Sequence, residues 1–255
     1  SNTTGVNNTA MGAYDVAGGI GGALQTNTTG GSNTAYGVGA LQANSTASNN
    51  TAVGKSALQA NSTGTDNVAL GAGALDSNTT ASDNIAIGRL ALQAVTTSAN
   101  NVAIGSSALY NNTGANNTAV GRNALLANTT GHSNTAVGYQ SLDANTTGYY
   151  NTAVGYAALT TTTTTLSNTA VGYASLGSCT GHNNVAMGYY AGGALTTVSN
   201  NVIIGTQAGE DLTTGGNTVL LGHLAGADIT TGSNNTVIGK VSGRSITTGA
   251  GNICL

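Results

Sequence analysis

Apolar and polar positions alternate over short stretches, and the alternation then repeats. The string Asn-Thr-Ala-Val-Gly, with close variants, recurs along nearly the whole chain. Indexing each unit by its glycine gives Gly12, Gly37, Gly54, Gly71, Gly88, Gly105, Gly121, Gly138, Gly155, Gly172, Gly188, Gly205, Gly222 and Gly239. The first gap is 25 residues and every later gap is 16 or 17. The residue before each index glycine is apolar or aromatic, as in Val53, Leu70, Ile87, Ile104, Val120, Met187 and Ile238. Two places earlier stands Thr, Val or Ile, as in Thr51, Val68, Ile85, Val102, Thr135 and Val202. Between them lies Ala in the first eleven units. Period-two alternation, rich in β-branched residues and bounded by Gly and Asn, predicts a strand of about five residues in each unit. In this reading the β-branched pair lines the interior and the alanine points away from it.

A second apolar column lies four residues after the index glycine: Leu41, Leu58, Leu75, Leu92, Leu109, Leu125, Leu142, Leu159 and Leu176. In the last four complete units that place is Gly, and the apolar residue moves three places on, to Leu195, Leu212, Ile229 and Ile246. A strand and a second short segment, joined by Gly/Asn/Ser/Thr turns, make one coil. Repetition at this period predicts an all-β fold, a parallel β-solenoid (β-roll) of about fourteen 16–17-residue coils. Rungs about 4.7–4.9 Å apart would give a rod of roughly 65–70 Å. No 3.6-residue period appears, and Gly, Thr and Asn are poor helix formers. The whole chain, 1–255, reads as a single repetitive domain, with an insertion near 17–24 and a change of repeat subtype near 188.

The most regular polar column lies four residues before the glycine. It includes Asn50, Asn67, Asn84, Asn101, Asn117, Asn134, Asn151 and Asn168, and Thr218 is the exception among complete units. Stacked identical amides hydrogen-bond up and down a ladder, which predicts a structural role. The apolar core of each coil is thin. In the last three units the alanine position becomes Ile203, Leu220 and Val237. On the face opposite the coil interior these would form an apolar stripe to bury against another chain, so a homo-oligomer is expected. A threefold arrangement suits a rod.

Composition narrows the function. The chain has 39 Gly, no Pro, Phe or Trp, 5 Lys plus Arg, 8 Asp plus Glu, and a net charge of -3. So few cations make no track for phosphates, and nucleic acid is excluded as an expected partner. Low charge and absent proline argue against disorder, and the missing triplet period against collagen. No apolar run approaches about 18 residues, so no membrane insertion is expected.

Candidate chemistry is sparse. The acids are scattered, and only Glu210 and Asp211 are adjacent. His132, His182 and His223 do not share a metal-ligand spacing. No nucleophile–base–acid set stands out, so no enzyme, metal or cofactor is expected. Cys179 and Cys254 lie more than four coils apart, too far for a disulfide. Sequons such as those at Asn61 and Asn128 read as turn composition rather than glycan sites. The informative surface column follows the index glycine: Lys55, Arg89, Arg122, Tyr139, Tyr156, Tyr173, Tyr189, His223 and Lys240. Its cations require solvent, so the glycine must turn or bulge the strand. Tyr139, Tyr156, Tyr173 and Tyr189 fall in four consecutive coils. They are candidate contacts for a host-surface carbohydrate or protein, or a stack that stiffens the rod.

Units such as Asn-Asn-Val-Ala-Ile-Gly (100–105) and Asn-Asn-Thr-Ala-Val-Gly (116–121) resemble the head repeats of trimeric autotransporter adhesins. The longer run AGADITTGSNNTVIG (225–239) is similar to repeats of bacteriophage tail fibres and related surface fibres. The resemblance implies a trimer of left-handed parallel β-rolls at a cell surface, on a virion or otherwise extracellular. Units here are longer than the usual adhesin head repeat, so only scaffold positions carry over. Both chain ends cut a repeat, and no polar capping repeat is visible, which suggests a segment of a longer fibre or end-to-end stacking. The expected function is a structural fibre or adhesin segment. The alternatives are a self-stacking extracellular filament subunit and an ice-binding solenoid. The latter is suggested by Thr pairs at 129–130, 146–147, 213–214 and 230–231.

Overall fold

The computed structural model describes residues 3–13 and 19–255. Part of the insertion expected near 17–24 lies outside the described residues. The chain divides into two compact units, Ser1–Thr130 and Gly131–Leu255. All helical or strand structure among the described residues is β-strand, and no helix is long and apolar enough to cross a membrane.

The first unit carries β1 (Thr9–Met11), β2 (Thr34–Tyr36), β3 (Thr51–Val53), β4 (Val68–Leu70), β5 (Ile85–Ile87), β6 (Val102–Ile104) and β7 (Thr118–Val120). Each pairs in parallel with the next, in strict register, so that Ala52 faces Ala69 and Ala86 faces Ala103. The second carries β8 (Thr135–Val137), β9 (Thr152–Val154), β10 (Thr169–Val171), β11 (Val185–Met187), β12 (Val202–Ile204), β13 (Val219–Leu221), β14 (Thr236–Ile238) and β15 (Ile253–Cys254). These too pair in parallel with their sequence neighbours. Each unit is therefore a parallel β-solenoid in which one repeat makes one coil.

The strands are three residues long, two in β15, rather than about five. Backbone geometry at both ends sets the length. Two residues before each strand the chain is left-handed, as at Asn49 (φ 62) and Asp66 (φ 60), and the index glycine after it lies at φ +134 (Gly54) or +137 (Gly71). Only glycine enters that second region freely. A Cβ on Gly54 would also sit 2.6 Å from the carbonyl oxygen of Gly71 in the next coil. The index glycine is therefore required both for its backbone angle and for the close approach of the next rung.

The two faces of the strand are the reverse of the expectation. The middle residue points into the coil: Ala52, Ala69, Ala136 and Ala153 are wholly buried, as are Ile203, Leu220 and Val237. The flanking residues point out, and Leu70, Ile104, Met187, Ile204 and Ile238 are exposed. Ile203, Leu220 and Val237 thus belong to the coil's own core and form no outer stripe.

The leucine column explains why. Leu41 to Leu176 are fully buried, opposite the strand alanines. In later coils the leucine is replaced by glycine, and the larger strand residue fills the space. A Cβ on Gly209 would lie 2.6 Å from Leu220 Cδ1, and one on Gly243 would lie 2.9 Å from Val237 Cγ1. Leu195, Leu212 and Ile229, three places after Gly192, Gly209 and Gly226, are buried as well. The subtype change near 188 is thus an exchange of volume across one narrow interior. The column leucines take left-handed angles, as at Leu58 (φ 51) and Leu92 (φ 51). That conformation costs about 1–2 kcal/mol per residue, offset by burial at about 1.5–3 kcal/mol per side chain.

The 25-residue first gap holds eight residues more than the 17-residue gaps. From Leu24 onward the ordinary register resumes. Leu24 is buried, with its N–H on Ala40 O at 3.1 Å, and Asn27 is buried beneath Asn44. The additional residues lie before Leu24.

Candidate functional site

The interior is filled by ladders. The asparagines four places before the index glycine are buried from Asn33 to Asn235. The Asn50 Oδ1 accepts the Asn67 N–H at 3.0 Å and the Asn67 Nδ2 at 3.1 Å. The pattern continues from Asn67 to Asn84, Asn84 to Asn101, and Asn101 to Asn117. In the second unit it runs from Asn134 through Asn151 and Asn168 to Asn184 and Asn201. Thr218, the exception, still donates its N–H to Asn201 Oδ1 at 3.0 Å. These amides face the coil interior and offer nothing to an external ligand.

A second buried asparagine ladder lies seven residues after the index glycine, and the sequence reading passed over it. The Nδ2 of Asn44, Asn61 and Asn78 each donate to the Oδ1 of the preceding member, at 2.8, 3.0 and 2.8 Å. The two ladders meet at one corner carbonyl. Gly64 O accepts from Asn50 at 2.9 Å and Asn61 at 3.0 Å, and Gly148 O accepts from Asn134 at 2.8 Å and Asn145 at 3.1 Å. The signal was present as Asn44, Asn61, Asn78, Asn112, Asn128 and Asn145 at constant offset. It fades into turn composition because Val95, Thr162, Cys179 and then Leu195 interrupt it. Asn61 and Asn128 head sequons, and both are fully buried, so neither amide is open to a glycan in the folded coil.

The surface column after the index glycine reaches solvent. Lys55, Arg89, Arg122, His223 and Lys240 are exposed, and so are Tyr156, Tyr173 and Tyr189, while Tyr139 is half-buried. The structure brings the four tyrosines together as one stack. Ring centroids are 5.4 Å apart for Tyr139–Tyr156, 5.0 Å for Tyr156–Tyr173 and 5.3 Å for Tyr173–Tyr189. Interplanar angles are 18°, 5° and 18°. Tyr190 leans on both Tyr173 and Tyr189. Because the rings face one another, the column presents edges and hydroxyls to solvent. A second aromatic group forms at a neighbouring corner, where His132 stacks on Tyr149 at 5.0 Å and Tyr150 meets both edge-on.

The remaining candidates are dispersed. Cys179 and Cys254 are free thiols. Burial pushes the Cys179 thiol up to about 11, against opposing hydrogen bonds with Gly181 and Asn184. Partial burial raises the Asp76 carboxyl above its ordinary value, opposed by a hydrogen bond with Gln93. The same cause raises Asp143, opposed by bonds to the backbone of Ala144 and of Asp143 itself. Arg244 and Asp228 pair at 3.3 Å in an exposed position, a contact worth little in water. No group of three or more His, Cys, Asp or Glu among the described residues could hold a metal ion.

The threonine pairs lie in bends rather than strands. The first hydroxyl of several donates to a carbonyl of the next coil, as Thr146 to Thr163 O, Thr213 to Thr230 O and Thr230 to Thr247 O. That removes half of the array an ice-binding surface would need.

Comparison with protein-family models, with curated proteins and with solved structures finds no match for this chain.

Proposed function

We propose that the chain is a segment of a structural fibre, an extracellular or virion β-solenoid that holds recognition elements away from a surface. Further copies of the chain cover its outward strand face, in a threefold arrangement. One observation carries this reading: two uncharged columns flank the strand alanines outside the coil, one of Thr, Val or Ile and one of apolar or aromatic residues. Met187 is 47% exposed, Leu70 46% and Ile238 39%. The two outer columns carry no charged residue from β1 to β15. A continuous exposed apolar column such as the one before the index glycines is ordinarily covered by a partner. The same face carries the same spacing on every copy, which fits it to itself. The interior offers no alternative role, because alanine, leucine and asparagine fill it. The tyrosine column serves the scaffold, since ring faces engaged with one another stiffen successive coils. The reading is tested by charge on the outer face: Val154→Lys with Val171→Lys is expected to dissociate the oligomer while the circular-dichroism spectrum is kept. An unchanged mass for that variant would contradict it.

A further inference from the structure

The tyrosine column carries a chemistry that scaffolding does not require. Tyr139, Tyr156, Tyr173 and Tyr189 are held at fixed neighbour distances of 5.0–5.4 Å by four successive rungs. Tyr156, Tyr173 and Tyr189 are 43–49% exposed, so their phenols reach an oxidant in solvent and can release protons to water. The chain contains no Trp and only two Met, and of its two free thiols Cys179 is buried while Cys254 is half-buried. The side chains that compete for a one-electron oxidant include the exposed Tyr36, Tyr150 and Tyr190 and the half-buried Cys254, and none of them belongs to the column. A hole placed on one ring lies a single ring spacing from the next, and the backbone ladder prevents the rings from drifting apart.

We propose that this column is an oxidative cross-linking site, in which neighbouring tyrosines couple to dityrosine and staple one coil to the next. The oxidant is a peroxide acting through a haem peroxidase. Two phenols each lose one electron and one proton. The two phenoxyl radicals join through ring carbons ortho to the oxygens. Each ortho hydrogen then moves to its oxygen to restore the aromatic ring. The two electrons and two protons reduce one hydrogen peroxide to two waters. Because both radicals form within one rigid coil stack, coupling is intramolecular and benefits from a high effective concentration. Among pairs one coil apart, Tyr156–Tyr173, at 5.0 Å and 5°, is the favoured pair. Each bond links residues 16 or 17 apart in sequence, so it closes a loop around one coil.

The test treats the folded chain with horseradish peroxidase and limiting hydrogen peroxide. Dityrosine fluorescence is followed, and cross-linked peptides are mapped by mass spectrometry. The expected result is dityrosine whose yield per chain is independent of dilution, mapping chiefly to Tyr156–Tyr173, Tyr173–Tyr189 and Tyr139–Tyr156. Tyr173→Phe, which keeps the stacked ring, should lose two of these links and lower the yield several-fold. Tyr36→Phe, at an exposed tyrosine on β2, should change nothing. A yield that falls on dilution, links confined to Tyr149–Tyr150, or no dityrosine at all would overturn the proposal. So would a Tyr173→Phe variant that couples as well as the parent.

Discussion

Asn78 shows what a ladder does for a single side chain. Its Nδ2 donates to Asn61 Oδ1 at 2.8 Å and to Ala81 O at 3.1 Å, yet its own Oδ1 is buried without a donor. The next coil carries Val95 at that place, and valine has no hydrogen to give. Val95→Asn is therefore expected to extend the ladder and stabilise the chain by about 0.5–1.5 kcal/mol, read from the denaturation midpoint. Asn61→Ala should have the opposite effect. It strands Asn44 Oδ1 and removes a donor from Gly64 O, at a cost of about 1–3 kcal/mol. Ionisable residues give a pH signature. Burial holds the Asp76 and Asp143 carboxyls above their ordinary value, so the folded chain takes up a proton more readily than the unfolded chain. Their contribution to stability is present in full below the ordinary carboxylate value and is lost as pH rises through the folded value. Asp76→Asn with Asp143→Asn should therefore reduce the gain in thermal midpoint on going from neutral pH to about pH 4. A gain of undiminished size would contradict this assignment. Cys179, with its thiol pushed up to about 11 by burial, should resist alkylation until the chain unfolds.

The coil is the element, and its interior behaves as one volume shared between strand and turn. Where the turn supplies leucine the strand supplies alanine, and where the turn supplies glycine the strand supplies Ile203, Leu220 or Val237. That coupling predicts a double-mutant cycle. Leu159→Gly alone should destabilise by about 2–5 kcal/mol through the cavity it leaves. Ala170→Ile alone should cost about 1–3 kcal/mol through overpacking. Combined, they should fall short of additivity by about 0.5–3 kcal/mol in the stabilising direction. Additive effects would mean that the two positions do not share a space. This element also shows how far the sequence can be read. The repeat period, the strand position, the leucine column and the first asparagine column are all visible as constant offsets. The direction of the strand is not. Alternation says that Ala136 and Val137 face opposite ways, but the assumption that bulk belongs inside chooses the wrong face. A coil narrow enough to close around one leucine has room only for alanine across from it. Strand length is hidden for a related reason. The left-handed turn at Asn49 and the glycine angle at Gly54 are backbone facts, and the polar residues beside a strand do not declare them. The tyrosine column was legible as a column, whereas its ring-on-ring stacking required the register of successive coils.

At the scale of the whole molecule, the inverted strand face changes the argument for association. Ile203, Leu220 and Val237 do not form an outer stripe. Their burial frees the opposite face, where Thr, Val, Ile, Leu and Met columns run outward from strand after strand within each unit. The surface available for self-association is thus larger and more regular than the one the sequence suggested, and it involves every coil rather than the last three. The proposed fibre segment would cover this face with further copies of the chain. The most direct test is the mass of the full chain in solution by multi-angle light scattering. The fibre account predicts three times the 24.7 kDa chain mass, independent of concentration over the measured range. A particle of 24.7 kDa, folded by circular dichroism, would contradict it.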